Sequence, residues 1–286
     1  MEFWRWIVGG GLAGATMFVI AVFMKAPSHD RDWVDHLAAT PSVTWNDDGD
    51  TVTIAPIRDW QYLPLRDGIA ILEVFQQRGT YRIEDLQDIW FILEPHPGFP
   101  LMAHTFVVFD FGPIAEGGGG MLGLTIEARK TEGERYNPVL GAFNKYELVY
   151  VWAEPRDLMT RRASLLGHAL EAYKLTLPPE EKVGYFERLV ERTAAISKRP
   201  RFYNTLGSNC TNELAKAAGL SWDSAFLFTG GAAKALFEHG VIEGERFSTV
   251  QENAQIAEAL RNRSWRIEEF NQMLRGHASR LSIAEE

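Results

Sequence analysis

The sequence predicts an α+β domain, an antiparallel sheet followed by packing helices, preceded by one apolar helix. Three observations carry this. Residues 51–154 hold apolar and β-branched runs of strand length separated by turn residues. From Pro155 the apolar spacing becomes helical. Ahead of both, the 19 residues from Trp6 to Met24 carry no charge.

The N-terminal stretch is flanked by Arg5 and Lys25, with Trp4 and Trp6 at interfacial positions. At ~1.5 Å per residue it is long enough for a bilayer's hydrocarbon core. Pro27 directly follows Ala26, and no small-x-small pair marks a cleavage site, so an uncleaved anchor over residues 1–25 is predicted rather than a signal peptide. Charges flank both ends about equally and do not set its orientation. Residues 26–50 are polar and turn-rich and read as a linker, and 51–286 form the domain.

TVTIAPIRDWQY (51–62) and the mixed apolar stretch 69–78 come first, and QDIWFILE (87–94) is a strand bounded by PHPGFP. HTFVVFDF (104–111) is a buried strand. MLGLTIEARK (121–130) alternates, with Leu122, Leu124, Ile126 and Ala128 on one face and Thr125, Glu127 and Arg129 on the other. GPIAEGGGG between these two closes a hairpin, and YELVYVWAE (146–154) follows at meander spacing. PRDLMTRRASLLGHALEAYKL reads as one helix begun by Pro155, and 178–197 as another. Asn209 or Ser208 caps a helix from Cys210 to Ala218 that stops at Gly219. Further helical pieces fall at 232–239 and about 250–275.

A net charge of -9 without a basic block excludes nucleic acid as a partner. One cysteine excludes an internal disulfide and a cysteine-based zinc site, and neither metal nor cofactor is predicted. That cysteine, Cys210, stands in the first turn of its helix, where unpaired N–H groups and the dipole favour a thiolate; a buried inert thiol is the plain alternative. Of seven histidines, only His104 opens a strongly apolar strand, where a polar ring needs a partner. If 104–111 and 121–130 pair around their loop, His104 lies opposite residues near Ala128, within a register step of Glu127. Glu127 then orients the ring, or with Arg129 simply forms a solvated face. Asp110 shares the His104 face but lies six residues on, ~20 Å away. The candidate catalytic residues are therefore Cys210, His104 and Glu127.

AHTFVVFDFG (103–112), LTIEARK (124–130), YELVYVWAEPRDLMTRR (146–162) and RFYNTLGSNCTNEL (201–214), with IRDW (57–60) upstream, resemble the domain of the Lnb-type bacterial lipoprotein N-acyltransferases. The resemblance runs from about Trp33 to the helix after Cys210. It implies a circularly permuted papain-like fold, related to NlpC/P60, in which the histidine strand precedes the cysteine helix. The activity it implies is acyl transfer from a membrane phospholipid, through a Cys210 thioester, to the α-amino group of a diacylglyceryl-cysteine lipoprotein N-terminus. It also implies a single-pass protein of the bacterial inner membrane whose domain faces the periplasm. Asn209 and Tyr203 stand beside the nucleophile as polar supports, and WDSAFLFTGG (222–231) is an acyl-binding or membrane-dipping loop or packs on the core. Two other readings stand beside transfer: a cysteine hydrolase on the same fold, and a membrane-tethered scaffold with an inert thiol.

Overall fold

The computed structural model describes residues 25–65, 68–114, 119–220, 225, 227–261 and 263–283. The predicted anchor, residues 6–24, lies outside the described residues, as does part of 222–231. Among the described residues no helix is long and apolar enough to cross a membrane.

The fold is α+β. Eight strands form one sheet: β1 (Ser42–Trp45), β2 (Thr51–Leu65), β3 (Gly68–Arg82), β4 (Asp88–Pro95), β5 (Ala103–Asp110), β6 (Met121–Arg129), β7 (Glu147–Ala153) and β8 (Glu171–Lys174). Their order is β1-β2-β7-β6-β5-β4-β8, with β3 on β2. The run β5 to β7 is the predicted antiparallel meander, and β4 extends it by pairing antiparallel with β5; β2 meets β7 in parallel at Arg58 and Ala153. These central strands are buried on both faces.

One face carries Val107, Phe109, Leu124, Ile126 and Trp152. It packs with apolar residues of α2 (Pro179–Lys198), α3 (Cys210–Ala218) and α4 (Ala232–Glu238). The other face, with Trp90, Phe106 and Val108, packs on Leu158 and Met159 of α1 (Pro155–Thr160) and on Phe270 and Leu274 of α5 (Ile267–Ile283). Helix α1 is locked to β2 by two crossed ion pairs. Arg58 grips Asp157 through Nε and Nη2 at 2.8 and 3.0 Å, and Arg156 pairs with Asp59. Asp157 also accepts from the Trp60 amide and the Tyr62 hydroxyl, so its buried charge is fully hydrogen-bonded.

Three sequence expectations change. The long helix expected from Pro155 ends early: α1 passes into a π-helical turn, Arg161–Leu165, and the chain reverses at Gly167 with φ +69°. EAYK then becomes β8, because β4 offers it an open edge; Leu93 faces Glu171 and Trp90 faces Lys174. The 26–50 segment, read as a linker, is partly built into the domain: Trp33 bridges to Thr131, Leu37 is buried and β1 pairs along β2. Its few apolar residues are anchors set among polar ones. The helix expected at about 250–275 is divided into turns at Phe247–Asn253 and Ala257–Leu260 before α5 begins, because Ala254 and Ile256 turn their backbone groups to the β8 segment.

Phe109 is fully buried between Trp152, Tyr185 and Phe186. Phe109→Ala is expected to cost about 3–5 kcal/mol in a denaturant titration, whereas the same change at the exposed Phe99 should cost under about 0.5 kcal/mol.

Candidate active site

Cys210 is the first residue of α3, as its local sequence predicts. Asn209 is the N-cap, its side chain accepting from the Asn212 amide at 2.8 Å and donating to the Thr205 carbonyl at 2.9 Å. Gly219, with φ +75°, ends the helix. Ser208 donates to Glu213 Oε1 at 2.6 Å, and this buried carboxylate also takes Arg201 at 2.7 Å and the Tyr150 hydroxyl at 3.1 Å. The thiol is therefore placed by a helix start fastened at both its cap and its first turn.

His104 comes to this thiol from the sheet. Phe106 lies opposite Thr125 in the β5–β6 ladder, and continuing that register sets His104 against Glu127. On its other side His104 is the cross-strand partner of Glu94. His104 Nε2 is 2.7 Å from Thr125 Oγ1 and 3.2 Å from Glu127 Oε1. Thr125 in turn donates to Glu127 Oε1 at 2.9 Å. His104 and Cys210 lie close enough that each shifts the ionisation of the other. The structure thus brings the three candidate side chains into one line: thiol, imidazole, carboxylate.

Arg162, in the π-helical turn, holds the carboxylates in place. Its Nε donates to Glu94 Oε2 and its Nη2 to Glu127 Oε1, both at 2.8 Å, while its guanidinium lies 4.6 Å from the centre of the Phe106 ring. His168 completes the chain on Glu94. Arg162, Glu94 and His168 were not singled out in the sequence, since their contacts join elements distant along the chain; Thr125 was placed on the face of Glu127, but not as its link to His104. The face of Thr125, Glu127 and Arg129 is not a solvated one: Thr125 and Arg129 are fully buried and Glu127 is partly so. Asp110 is far from the site and pairs with Arg275. Tyr203 is buried beside the site, and its ring meets Tyr136 edge-on.

Electrostatics favour an ion pair. Burial opposes charge on His104, but the carboxylate of Glu127 and the sulfur of Cys210 outweigh it and lift the ring to about 10. Burial likewise favours a neutral thiol, yet the imidazolium and the hydrogen bonds from His104 and Thr105 bring Cys210 below its ordinary 9.0. Burial works against the Glu127 charge as well; His104, Arg162 and Thr125 hold that carboxyl well below the usual range. A thiolate–imidazolium pair steadied by a carboxylate is a nucleophile with its proton donor already charged. Behind α3 lies an apolar cavity of about 260 Å³ lined by Thr211, Leu214, Ala215, Phe91, Tyr185 and Leu236.

Fold and site together define an α+β domain with a cysteine, a histidine and a glutamate aligned at one end of its sheet. The chain belongs to the Lnb N-terminal periplasmic domain family, whose model matches residues 74–227. That span contains His104, Glu127, Arg162 and Cys210; Arg58 and Asp59 of the IRDW element precede it. No curated protein and no solved structure gives a significant match.

Two titrations test the electrostatics. Because Cys210 is the sole thiol, ultraviolet thiolate absorbance reports it alone. The midpoint is expected below 9.0 in the native protein. In His104→Ala it should rise above that value, since burial then acts without a counter-charge. An unchanged midpoint would sink the ion pair. In Glu127→Gln the His104 ring, followed by NMR, should lose its proton at lower pH than the native value of about 10; an unmoved ring would remove Glu127 from its electrostatic role.

Proposed function

We propose that the protein is a thiol-dependent acyltransferase that moves a fatty acyl chain from a membrane phospholipid to the α-amino group of a diacylglyceryl-cysteine at a lipoprotein N-terminus. The observation that carries this reading is the Cys210–His104–Glu127 line in a chain of the Lnb family. The apolar cavity behind α3 supports a hydrocarbon substrate.

In the first half-reaction the Cys210 thiolate attacks the ester carbonyl. The C–S bond forms, the C–O bond breaks, and the departing alkoxide takes the proton from imidazolium His104, leaving a thioester and a lysophospholipid. Backbone N–H groups at the start of α3 hold the oxyanion. In the second half the lipoprotein amine attacks the thioester carbon. Neutral His104 accepts a proton from the amine as the C–N bond forms, and Cys210 leaves as thiolate. Glu127, through Thr125, keeps the ring in the orientation that serves both steps, and Arg162 positions Glu127. The histidine-before-cysteine order suits a circularly permuted papain-like arrangement. The uncharged stretch 6–24 suits retention in the inner membrane, with the domain in the periplasm, where both lipid substrates would be within reach.

Intact-mass measurement after incubation with phospholipid should show a gain of one fatty acyl group that hydroxylamine removes. Cys210→Ala should lack the adduct and lose roughly 10⁴-fold or more in transfer rate, with a nearly unchanged melting temperature. Near-normal transfer by Cys210→Ala would refute the reading. An adduct that passes only to water, even with a lipoprotein amine supplied, would make the protein a hydrolase.

A further inference from the structure

The β4–β5 and β6–β7 connections of an antiparallel meander leave the sheet at the same end, and here it is the end that holds His104 and Glu127. Most of the exposed large apolar side chains among the described residues gather on these connections and their neighbours. Val139 is 66% exposed and Leu206 58%, with Leu140 beside them. Residues 138–142 are stitched to the segment just before Cys210: Thr205 donates to the Pro138 carbonyl at 2.8 Å and Asn204 to the Ala142 carbonyl at 3.0 Å. Across the site, Phe99, Leu101 and Phe228 are also exposed. Thr229 joins that rim to the strand start, its hydroxyl bonding both backbone groups of Ala103 next to His104.

Two further observations say what covers this surface. Lys25, the residue that follows the uncharged stretch 6–24, donates to the Lys145 carbonyl at 2.8 Å and the Asn144 carbonyl at 3.3 Å, directly after the Val139–Leu140 turn. The segment expected in the bilayer therefore enters the domain beside the apolar rim. Next to Lys25 lies a surface groove of about 810 Å³ bordered by Pro27, Arg192, Arg199, Arg201 and Phe202. The carboxylates that pair with Arg192, Arg201 and Lys25, Glu213 and Glu147, are buried, so positive charge is presented outward. Apolar side chains bordered by cations match the acyl boundary and anionic headgroups of a bilayer.

We infer that the rim formed by Val139, Leu140 and Leu206 on one side and Phe99, Leu101 and Phe228 on the other rests in the membrane surface, with the arginine groove on its anionic headgroups. The sheet end that carries the partly exposed His104 and Glu127 then faces the lipid. This inference rests on the proposed membrane retention of residues 6–24, and its test is independent of acyl chemistry. The full chain carrying Cys210→Ala receives a single cysteine, Val139→Cys, Leu206→Cys or Asp85→Cys, labelled with an environment-sensitive fluorophore. Asp85 is exposed and lies beyond the opposite end of β4. Each is reconstituted in phosphatidylethanolamine–phosphatidylglycerol vesicles containing nitroxide-labelled phospholipid. Labels at 139 and 206 are expected to be quenched about threefold more strongly than the label at 85. Equal quenching at all three positions overturns the inference. So does an unquenched but blue-shifted label at 139, which would mean that a second copy of the chain covers the rim. Quenching without a thioester adduct in the native protein would retain the surface and reject the chemistry; the reverse result would reject the surface alone.

Discussion

The pairing register of β5 on β6 is the constraint from which the site follows. Phe106 opposite Thr125 sends Leu122, Leu124 and Ile126 into the apolar layer under α2 and α3, and Thr125 and Glu127 to the opposite face beside His104 and Arg162. A slip by one residue would exchange the two sets. It would turn Glu127 into the apolar layer at the level of Leu148 and Tyr150 and present Leu124 and Ile126 to Arg162. Each misplacement is costly, since an unpaired buried charge is far less stable than a paired one. The core that stabilises the fold and the line that orders the imidazole thus share a single choice of register.

Buried charge is handled by sharing it. Arg162 meets two carboxylates, Glu94 and Glu127, and each carboxylate has a histidine on its other side. The crossed pairs Arg58–Asp157 and Arg156–Asp59 play a similar part between β2 and α1. Ion pairs of this kind return little net stability beyond their desolvation cost, but breaking one leaves an uncompensated charge. Their main effect here is geometric: α1 is fixed on β2, and the π-helical turn that continues it delivers Arg162 over the Phe106 ring. Because burial alone would favour a neutral thiol and a neutral ring, the charged forms of Cys210 and His104 depend on one another and on Glu127.

The position of the site at a sheet end connects chemistry with surroundings. The same strand ends that bear His104 and Glu127 lead into the 96–102 and 130–146 connections, which carry exposed apolar residues. The cavity behind α3 lies beside the helix that begins with the thiol.

What the sequence determined by itself was local. Runs such as QDIWFILE and HTFVVFDF, with turn residues between them, specify β4 to β7 because β-branched and aromatic side chains fit a sheet. Asn209 and Gly219 delimit α3 because one accepts an orphan amide and the other adopts positive φ without a side-chain clash. The chain order of His104, Glu127 and Cys210 on those elements was legible for the same reason. Only the tertiary structure decided the rest. EAYK has helical spacing yet forms β8, since an unpaired β4 edge outweighs a weak local preference. The alternation of β6 separates two faces but cannot say that both are buried, because that depends on α1 and α5 arriving from later in the chain. Arg162, Glu94 and His168 carry no local mark at all. Their roles arise from pairings across 35 to 74 residues of sequence, which exist only once β4, β6 and the π-helical turn have been brought together.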